Sequence, residues 1–242
     1  MLQPIKPYKK EFDYSYALGV FLTIELLEHK PEHVLSIILS TNAVKNSGLE
    51  KIRAIAESHG ITIEVNDRLI ERLSPKENCY AVGVFRKYDN KLDSRKNHIV
   101  LVNPMDSGNL GTIIRTSLGF KFTNMAIIRP AVDIFDPKSI RASMGAVFSM
   151  GFSYFDSFEA YQEVFSYHQL YPFLLNGRVK IQEVHGIKKE PYALIFGNES
   201  SGLPESFNTI GTGITIPHAK TIDSLNLSVA AAIAEYEFTR DA

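Results

Sequence analysis

Residues 98–115 read HIVLVNPMDSGNLGTIIR, an apolar run followed by a loop with two glycines and the start of a helix. The run at 98–103 is almost wholly apolar, which is typical of a strand buried on both faces of a parallel sheet. A helix is predicted from about Leu110, and it carries Arg115 among apolar residues. From there its planar fork can reach back to the N-terminal end of the helix and meet an anionic group, so this unit is predicted to build a site as well as the fold.

Strand and helix patterns alternate along the rest of the chain. This order predicts an α/β fold in which a parallel sheet is covered by helices. In such sheets ligands bind beyond the carboxyl ends of the strands, which here lead into the loops 104–109, 197–204 and 217–224. The first helix is predicted over 14–27, and the other predicted strands are 34–40, 61–65, 79–85, 125–129, 171–175, 192–196 and 213–216.

A polar stretch without periodicity, KYDNKLDSRKNH at 87–98, separates two runs of regular pattern. It predicts a linker at 87–97 between a small α/β domain at 1–86 and a larger parallel-sheet domain at 98–242. The chain has 242 residues and 45% hydrophobic content, which is enough to bury a core in each domain.

The charge balance gives no general affinity for polyanions, because 26 basic and 27 acidic residues leave a net charge of −1. Contact with nucleic acid must therefore depend on a local basic patch. The candidates lie at the start of the chain and in the linker: Lys6, Lys9, Lys10, Lys87, Lys91, Arg95 and Lys96.

Cysteine content and hydropathy indicate the cellular setting. The single cysteine, Cys79, cannot form an internal disulfide, and the first residues, MLQPIKPYKKEF, lack an apolar signal core, so a cytoplasmic location is expected. No apolar run approaches the ~20 residues that span a bilayer. The histidines show no paired ligand spacing, so no metal site is expected.

The loop at 103–115 allows two interpretations. As a local pattern, Gly108-x-x-Gly111 is either a tight turn and helix cap, with Asn109 as the capping residue, or a clamp for a ligand. The chain lacks both the Walker pattern and Gly-x-Gly-x-x-Gly, so nucleoside triphosphate and dinucleotide sites lose their usual support. Arg115 favours a site, because its planar fork can hold a phosphate or a developing oxyanion.

The loop at 195–204, IFGNESSGLP, leaves a predicted strand through Gly197. Its glycines allow close approach of other atoms, and its exposed backbone amides suit the polar groups of a ligand. Glu199 can accept hydrogen bonds either from a ligand or from neighbouring loop amides, and both roles stay open.

The block at 216–237 is predicted to form a loop and the last helix, with Asp223 or Ser224 as the cap. Asn226 and Ser228 are polar residues in its first turn and need partners, which indicates a site. The helix is otherwise interpreted as a core helix that buries an apolar stripe of Leu225, Val229, Ile233 and Tyr236.

Taken in order, the blocks 103–115, 195–204 and 216–237 resemble the three sequence motifs of the SpoU/TrmH family of RNA 2′-O-ribose methyltransferases, in the SPOUT superfamily. Residues 98–240 resemble the catalytic domain, and 10–86 resemble the small RNA-binding domain that often precedes it. The resemblance implies S-adenosylmethionine as the methyl donor, a trefoil-knotted sheet, and a homodimer built largely around the C-terminal helix.

The resemblance also implies roles for single residues, by their positions in the motifs. The expected catalytic residues are Asn109, Arg115, Glu199, Ser224 and Asn226. The expected cofactor contacts come from near Phe196, Gly197, Ile216 and Leu225, with Gly202 shaping the loop. The sequence departs from the family pattern at Ser107, where proline is frequent, and at His218 and Lys220, where methionine and glycine are usual.

The function implied by the resemblance is methylation of a ribose 2′-hydroxyl in structured RNA, either rRNA or tRNA. The alternatives are an RNA-binding protein of the same fold without catalytic activity, and a methyltransferase acting on a small molecule or a protein. Arg115 is interpreted as an electrostatic stabiliser and not as the base, because a guanidinium holds its proton up to about pH 12.

Overall fold

The computed structural model describes residues 5–42, 47–74 and 78–240. In chain order the strands are β1 (Tyr14–Leu18), β2 (Val34–Leu39), β3 (Ile63–Val65), β4 (Ala81–Arg86), β5 (His98–Val102), β6 (Asn124–Ile128), β7 (Gly151–Phe155), β8 (Gln169–Pro172), β9 (Val179–Lys180), β10 (Tyr192–Phe196) and β11 (Ile214–Thr215). The α-helices are α1 (Val20–His29), α2 (Ser47–Ser58), α3 (Asp67–Leu73), α4 (Ser107–Gly119), α5 (Pro137–Ala142), α6 (Phe158–Val164) and α7 (Leu227–Thr239). Short 3-10 helices span Pro31–His33, Ala146–Ser149, Ile181–Gly186 and Glu205–Thr209.

The chain divides into two compact units, one of Met1–Tyr88 with Asp133–Ser149 and one of Asp89–Val132 with Met150–Ala242. The segment Asp133–Ser149 therefore packs with the first unit, although the sequence pattern placed it in the second domain. The physical reason is aromatic packing around Phe85 of β4, whose ring lies 5.5 Å from Phe135 and 5.4 Å from Phe148.

The first unit contains a mixed sheet with strand order β1-β4-β2-β3. β2 and β3 are parallel, but β4 runs antiparallel to both β1 and β2, so the parallel pairing expected from the alternating pattern is wrong here. The predicted helix at 14–27 is also wrong at its start. Residues Tyr14–Leu18 form β1, and Gly19, with φ of 112°, turns the chain into α1. Of the apolar residues with helical spacing, Leu18 lies on β1, and the others, from Phe21 onward, lie on α1.

The second unit is built on a five-stranded sheet with order β7-β6-β5-β10-β8, and every pair in it is parallel, as predicted. β5, β6 and β10 are buried at every residue. Fully burying one Val, Leu or Ile side chain stabilises the folded state by ~1.5–3 kcal/mol. These three strands therefore contribute much of the hydrophobic stabilisation of the second unit. The strand predicted at 213–216 is β11, which pairs with β9 outside this sheet.

The last helix, α7, packs against α4 with a face that differs from the predicted stripe. Its buried residues are Leu227, Ala231, Ala234, Glu235, Glu237 and Phe238. Three members of the predicted stripe are exposed instead, with exposed fractions of 47% for Val229, 36% for Ile233 and 53% for Tyr236. The expected burial of this stripe in the core of the chain is therefore wrong.

Glu235 is a fully buried carboxyl group between α4 and α7. Ser117 Oγ donates to Glu235 Oε1 at 2.6 Å, while Glu235 Oε2 has no hydrogen-bond partner in the described part of the chain. Burial raises the pKa of Glu235 to about 8, and the bond from Ser117 offsets only part of that effect. The folded chain therefore keeps this group neutral at pH 7.

No helix among the described residues is both long and apolar enough to cross a membrane.

Replacing Glu235 with glutamine should remove a pH-dependent cost of folding. Between the ordinary value of 4.5 and about 8, the unfolded chain releases this proton while the folded chain keeps it, so wild-type stability falls as the pH rises. Glu235→Gln keeps the bond from Ser117 and cannot ionise. Its free energy of unfolding should exceed that of the wild type by a few kcal/mol, on the order given by ~1.4 kcal/mol per pH unit, at pH 8 and by little near pH 5.

Thermal unfolding at pH 5 and pH 8 checks this difference. Glu163→Gln, at an exposed position of α6, is the matched control and should follow the wild type at both pH values. Equal pH dependence in Glu235→Gln and the wild type would contradict the neutral state of Glu235.

Candidate active site

The loop between β5 and α4 ends in a helix cap formed by Asp106. Its carboxylate accepts from the backbone N–H of Asn109 at 2.7 Å, and α4 begins at Ser107. The prediction that Asn109 caps this helix is wrong, because a carboxylate three residues earlier takes that position and also interacts favourably with the helix dipole. The side chain of Asn109 is therefore left for another partner.

Glu199, in the loop after β10, reaches across to the loop after β5. Its two carboxylate oxygens accept from the backbone N–H groups of Met105 at 3.1 Å and Asp106 at 3.0 Å. The sequence left open whether Glu199 accepts hydrogen bonds from a ligand or from loop amides, and these two bonds match the second role. Glu199 thus joins the first two motifs.

Asn103 and Asn198 extend this connection, although the sequence did not single them out. Asn198 Nδ2 donates to the backbone oxygen of Asn103 at 2.8 Å, and Asn103 Nδ2 donates to the backbone oxygen of Arg129 at 2.7 Å. Asn103 has φ of 53°, a left-handed conformation that asparagine tolerates better than most residues. The available signal was an asparagine one residue after the buried strand β5 and another two residues after the buried strand β10.

The turn after β10 is closed at both ends by backbone bonds between Asn198 and Gly202, at 3.1 and 2.9 Å. Gly202 has φ of 67°, which favours glycine. A Cβ atom at Gly197 would lie 2.2 Å from the carbonyl carbon of Gly202, so that position accepts no side chain. These two glycines fix the shape of the loop beside the cavity described below.

The third motif meets the first through two asparagines. Asn226 caps α7 by accepting from the backbone N–H groups of Ser228 at 2.9 Å and Val229 at 3.4 Å. Its Nδ2 donates to Asn109 Oδ1 at 3.1 Å. The helix therefore begins at Leu227, and the prediction of a cap at Asp223 or Ser224 is wrong, since Asn226 provides the acceptor nearer the regular helix.

Arg115 and Ser224 lie apart from this network. Arg115 is exposed on α4, and its guanidinium makes no hydrogen bond or ion pair with any residue of 5–42, 47–74 or 78–240. Ser224 is exposed in the loop before α7 and lines the cavity. The contacts thus bring Asn109, Glu199 and Asn226 together, and they leave the side chains of Arg115 and Ser224 facing solvent.

A cavity of about 480 Å³ lies beside the second and third motifs. The five residues expected to contact a cofactor all line it: Phe196, Gly197, Gly202, Ile216 and Leu225. Phe173 and Phe196 form a stacked aromatic wall, with ring centroids 4.7 Å apart. His218 also lines the cavity, and its Nδ1 lies 2.8 Å from the backbone oxygen of Ile216.

The arrangement suits a ligand with an aromatic part and several polar groups. Its volume lies within the ~300–1,000 Å³ of small-molecule sites, and its wall combines aromatic rings with loop amides. Within the described ranges, no group of three or more His, Cys, Asp or Glu side chains is placed to hold a metal ion. The fold and the site define a parallel-sheet α/β protein with a ligand cavity at the carboxyl edge of its sheet.

Comparison with known proteins identifies the family. Residues 96–236 match the model of the SpoU rRNA Methylase family, and the chain belongs to that family. A Streptomyces laurentii 23S rRNA (adenosine(1067)-2′-O)-methyltransferase is 32% identical over 154 residues, which are 62% of this chain and 56% of that protein. The chain spans between 27% and 87% of the length of the curated relatives it matches.

Two solved structures extend the likeness. The AdoMet-bound rRNA methyltransferase of Sinorhizobium meliloti has a TM-score of 0.79 and 26% identity, and the match covers 94% of this chain and 87% of that one. A structure concerned with 2-OH methylation of C/U34 on tRNA has a TM-score of 0.55 and 30% identity, covering 61% of this chain and 97% of that one.

Replacing Glu199 with glutamine should loosen the join between the first two loops. Glutamine offers one acceptor oxygen, so its amide group would face one of the two backbone N–H donors of Met105 and Asp106. Loss of one charge-assisted bond should lower the free energy of unfolding by ~1–2 kcal/mol.

Thermal or urea unfolding of the purified chain measures this change. Glu205→Gln is the matched control, because Glu205 is an exposed glutamate on the rim of the same cavity. A loss no larger in Glu199→Gln than in Glu205→Gln would show that the two amide bonds do not hold the loops together.

Proposed function

We propose that this chain is an S-adenosylmethionine-dependent methyltransferase that acts on a ribose 2′-hydroxyl of structured RNA, either rRNA or tRNA. The observation that carries the proposal is the meeting of three chain-distant motifs beside one cavity, through the bonds of Glu199 and Asn226 to the segment 105–109. Family membership and the rRNA and tRNA substrates in the names of similar proteins support it. We place the reaction in the cytoplasm, in keeping with a single, unpaired cysteine.

The cavity fits the cofactor that the proposal requires. The stacked rings of Phe173 and Phe196 provide an apolar wall for an adenine base, and the backbone near Gly197, Ile216 and Leu225 provides hydrogen-bonding groups. The Sinorhizobium meliloti structure contains AdoMet, which supports the same ligand here. When bound, S-adenosylmethionine supplies an electrophilic methyl group on a sulfonium centre.

The protein must hold the ribose oxygen in line with that methyl group and assist departure of the hydroxyl proton. With the cofactor held beside Phe196, Gly197 and Leu225, its methyl group would pass from sulfur to the ribose oxygen, and the hydroxyl proton would be released to water. Positioning of reacting groups lowers a barrier by several kcal/mol, and a placed oxyanion donor contributes ~3–4 kcal/mol more. These two tasks fall to the polar residues of the three motifs.

Arg115 is assigned the electrostatic task. Its exposed guanidinium has no ionic partner in the described chain, so it is available to a phosphate and to the developing alkoxide. Asn109 and Asn226 lie in mutual contact and are assigned to hold the sugar, and Ser224, which lines the cavity two residues before Asn226, is assigned to the same task. Glu199 acts through the loop that it orders.

The predicted domain 1–86, which lies within the first unit, is proposed to bind RNA, and the part of 98–242 that lies in the second unit is proposed to carry out the methyl transfer. The match to the Sinorhizobium meliloti structure, which extends over 94% of this chain, supports a shared two-unit plan. Lys87 is removed from the RNA-contact candidates, because its Nζ lies 2.6 Å from Asp133 Oδ2 and its side chain is only 16% exposed. Arg95 is removed as well, because it precedes β5 and so lies at the amino end of that strand, opposite the candidate site. A trefoil knot is part of the proposal, supported by the insertion of the late strand β10 between β5 and β8.

Two measurements test the activity itself. Calorimetry with S-adenosylmethionine should show one site per chain, and incubation with radiolabelled cofactor and total RNA should transfer label to a 2′-O-methylated nucleotide found by mapping. RNA binding without cofactor binding would support the alternative of a binding protein without catalytic activity. Label on protein or small molecules alone would exclude RNA as the substrate.

Replacing Arg115 with lysine tests the electrostatic role. Lysine keeps the charge but loses the planar fork, so turnover should fall at least ~100-fold, as for loss of an oxyanion donor. Cofactor affinity should stay near the wild-type value in calorimetry, since Arg115 does not line the cavity. Arg95→Lys, at an exposed arginine elsewhere in the second unit, is the control, and near-normal turnover in Arg115→Lys would remove Arg115 from the mechanism.

A homodimer is also proposed, with the exposed apolar stripe of α7 in its interface. Val229, Ile233 and Tyr236 lie at spacings of four and three residues, so they form one apolar face on the helix surface. Contiguous exposed apolar residues of this kind mark protein interfaces more often than free surface. The stripe also continues from Asn226, so a partner would lie next to the candidate site.

Replacing Ile233 with aspartate should break this dimer. An unpaired charge in an apolar interface costs several kcal/mol, so the dimer dissociation constant should rise at least ~10-fold. Light scattering coupled to gel filtration gives the molar mass, and Val164→Asp, at a 60% exposed valine of α6, should keep the wild-type mass. A monomeric wild type at micromolar concentration, or a dimeric Ile233→Asp, would refute this interface.

A further inference from the structure

Arg129 follows β6 directly, at the same edge of the sheet as the loops of the candidate active site. Two bonds fasten its segment to the loop after β5. Asn103 Nδ2 donates to the backbone oxygen of Arg129 at 2.7 Å, and the backbone N–H of Val132 donates to the oxygen of Pro104 at 2.9 Å. The backbone at Arg129 is therefore continuous with the network that contains Glu199 and Asn198.

The side chain of Arg129 packs on the ring of Tyr154 in β7. The guanidinium carbon lies 4.5 Å from the centroid of the Tyr154 ring, a cation–π distance. The ring is itself anchored, because the Tyr154 hydroxyl donates to the backbone oxygen of Val132 at 3.1 Å. This support limits the rotamers of the arginine while 52% of its side chain stays exposed.

Within the described residues Arg129 has one acidic contact, and that contact is weak. Its Nε lies 3.3 Å from Asp156 Oδ1, but the Asp156 side chain is 96% exposed. An ion pair so open to water contributes ~0–1 kcal/mol, so it does not prevent the guanidinium from taking another anion.

From these observations we propose that Arg129, held on Tyr154, binds a backbone phosphate of the substrate RNA close to the methylated nucleotide. The inference rests on the proposed function and deepens it, since it names a second point at which the second unit holds RNA. A planar guanidinium forms two parallel bonds to a phosphate, and an arginine already ordered by a ring loses less entropy in doing so. The bonds from Asn103 and Val132 tie this phosphate site to the loop that carries Asp106 and leads into α4.

Arg95 provides a matched control within the same unit. It is an exposed arginine paired with a nearby aspartate, Asp93, at 3.2 Å, and its side chain is 87% exposed. It precedes β5 and so lies at the amino end of that strand, the end opposite the candidate site. An effect of general surface charge would appear at Arg95 as well as at Arg129.

The experiment compares Arg129→Ala, Arg95→Ala and the wild type in two assays with total cellular RNA as the probe. Methyl transfer gives KM for RNA and kcat, and filter binding at several salt concentrations gives the dissociation constant. Arg129→Ala should raise both KM and the dissociation constant at least about fivefold, with kcat within about twofold and calorimetric S-adenosylmethionine affinity unchanged. The slope of log affinity against log salt should become shallower by ~0.7–0.9, as for one lost phosphate contact.

Arg95→Ala should match the wild type in both assays, and Asp156→Asn, which removes the competing carboxylate, should bind RNA at least as tightly as the wild type. An unchanged dissociation constant and salt slope in Arg129→Ala would overturn the inference, as would weaker binding by Asp156→Asn. A weaker Arg129→Ala with an unchanged salt slope would also overturn it, because the contact would then be to a base. Failure of the proposed function is separate, since it appears as absent methyl transfer by the wild type, while filter binding still tests Arg129.

Discussion

Glu199 binds the backbone amides of Met105 and Asp106 across 94 and 93 residues of sequence, and the candidate site depends on that contact. Where parallel strands end, their loops carry backbone N–H and C=O groups that no longer pair within the sheet, and each needs another partner. Side chains of the loop after β10 satisfy groups of the loop after β5, and Asn103 extends the same pattern to the segment after β6. The loops after β5, β6 and β10 are thereby joined to one another by hydrogen bonds at the carboxyl edge of the sheet.

The same edge determines where two helices begin. α4 starts from the loop held by Glu199, and α7 is capped by Asn226, whose side chain binds Asn109 on α4. Further along, Ser117 of α4 binds the buried carboxyl of Glu235 on α7. Arg115 lies between these two contacts in the sequence of α4. The helix that presents Arg115 is thus fixed to α7 on both sides of it, which limits the positions that a phosphate or ribose bound there can take.

Sequence patterns predicted the elements that follow directly from residue type, such as strands made of apolar residues and turns made by glycine. The continuous apolar runs of β5, β6 and β10 predicted strands covered on both faces, and Gly197 and Gly202 indicated a tight turn. Patterns failed where two neighbours compete for one role. Asp106 and Asn109 can both cap α4, Ser224 and Asn226 can both cap α7, and only the folded backbone selects between them. Likewise, the spacing of Val229, Ile233 and Tyr236 showed an apolar face but not what covers it.

The folded chain divides the expected catalytic residues into two groups that sequence motifs cannot separate. The side-chain oxygens of Glu199 and Asn226 already accept hydrogen bonds from loop and helix amides. Asn109 Oδ1 likewise accepts from Asn226. An acceptor already bonded in this way gains little from a ligand and loses a partner if it turns to one. Arg115 and Ser224 remain exposed, so in the proposed reaction direct contact with substrate falls first to them. Glu199 then acts mainly by holding the loop that leads into α4, and the bonded pair Asn109 and Asn226 holds the sugar in the position that these contacts set.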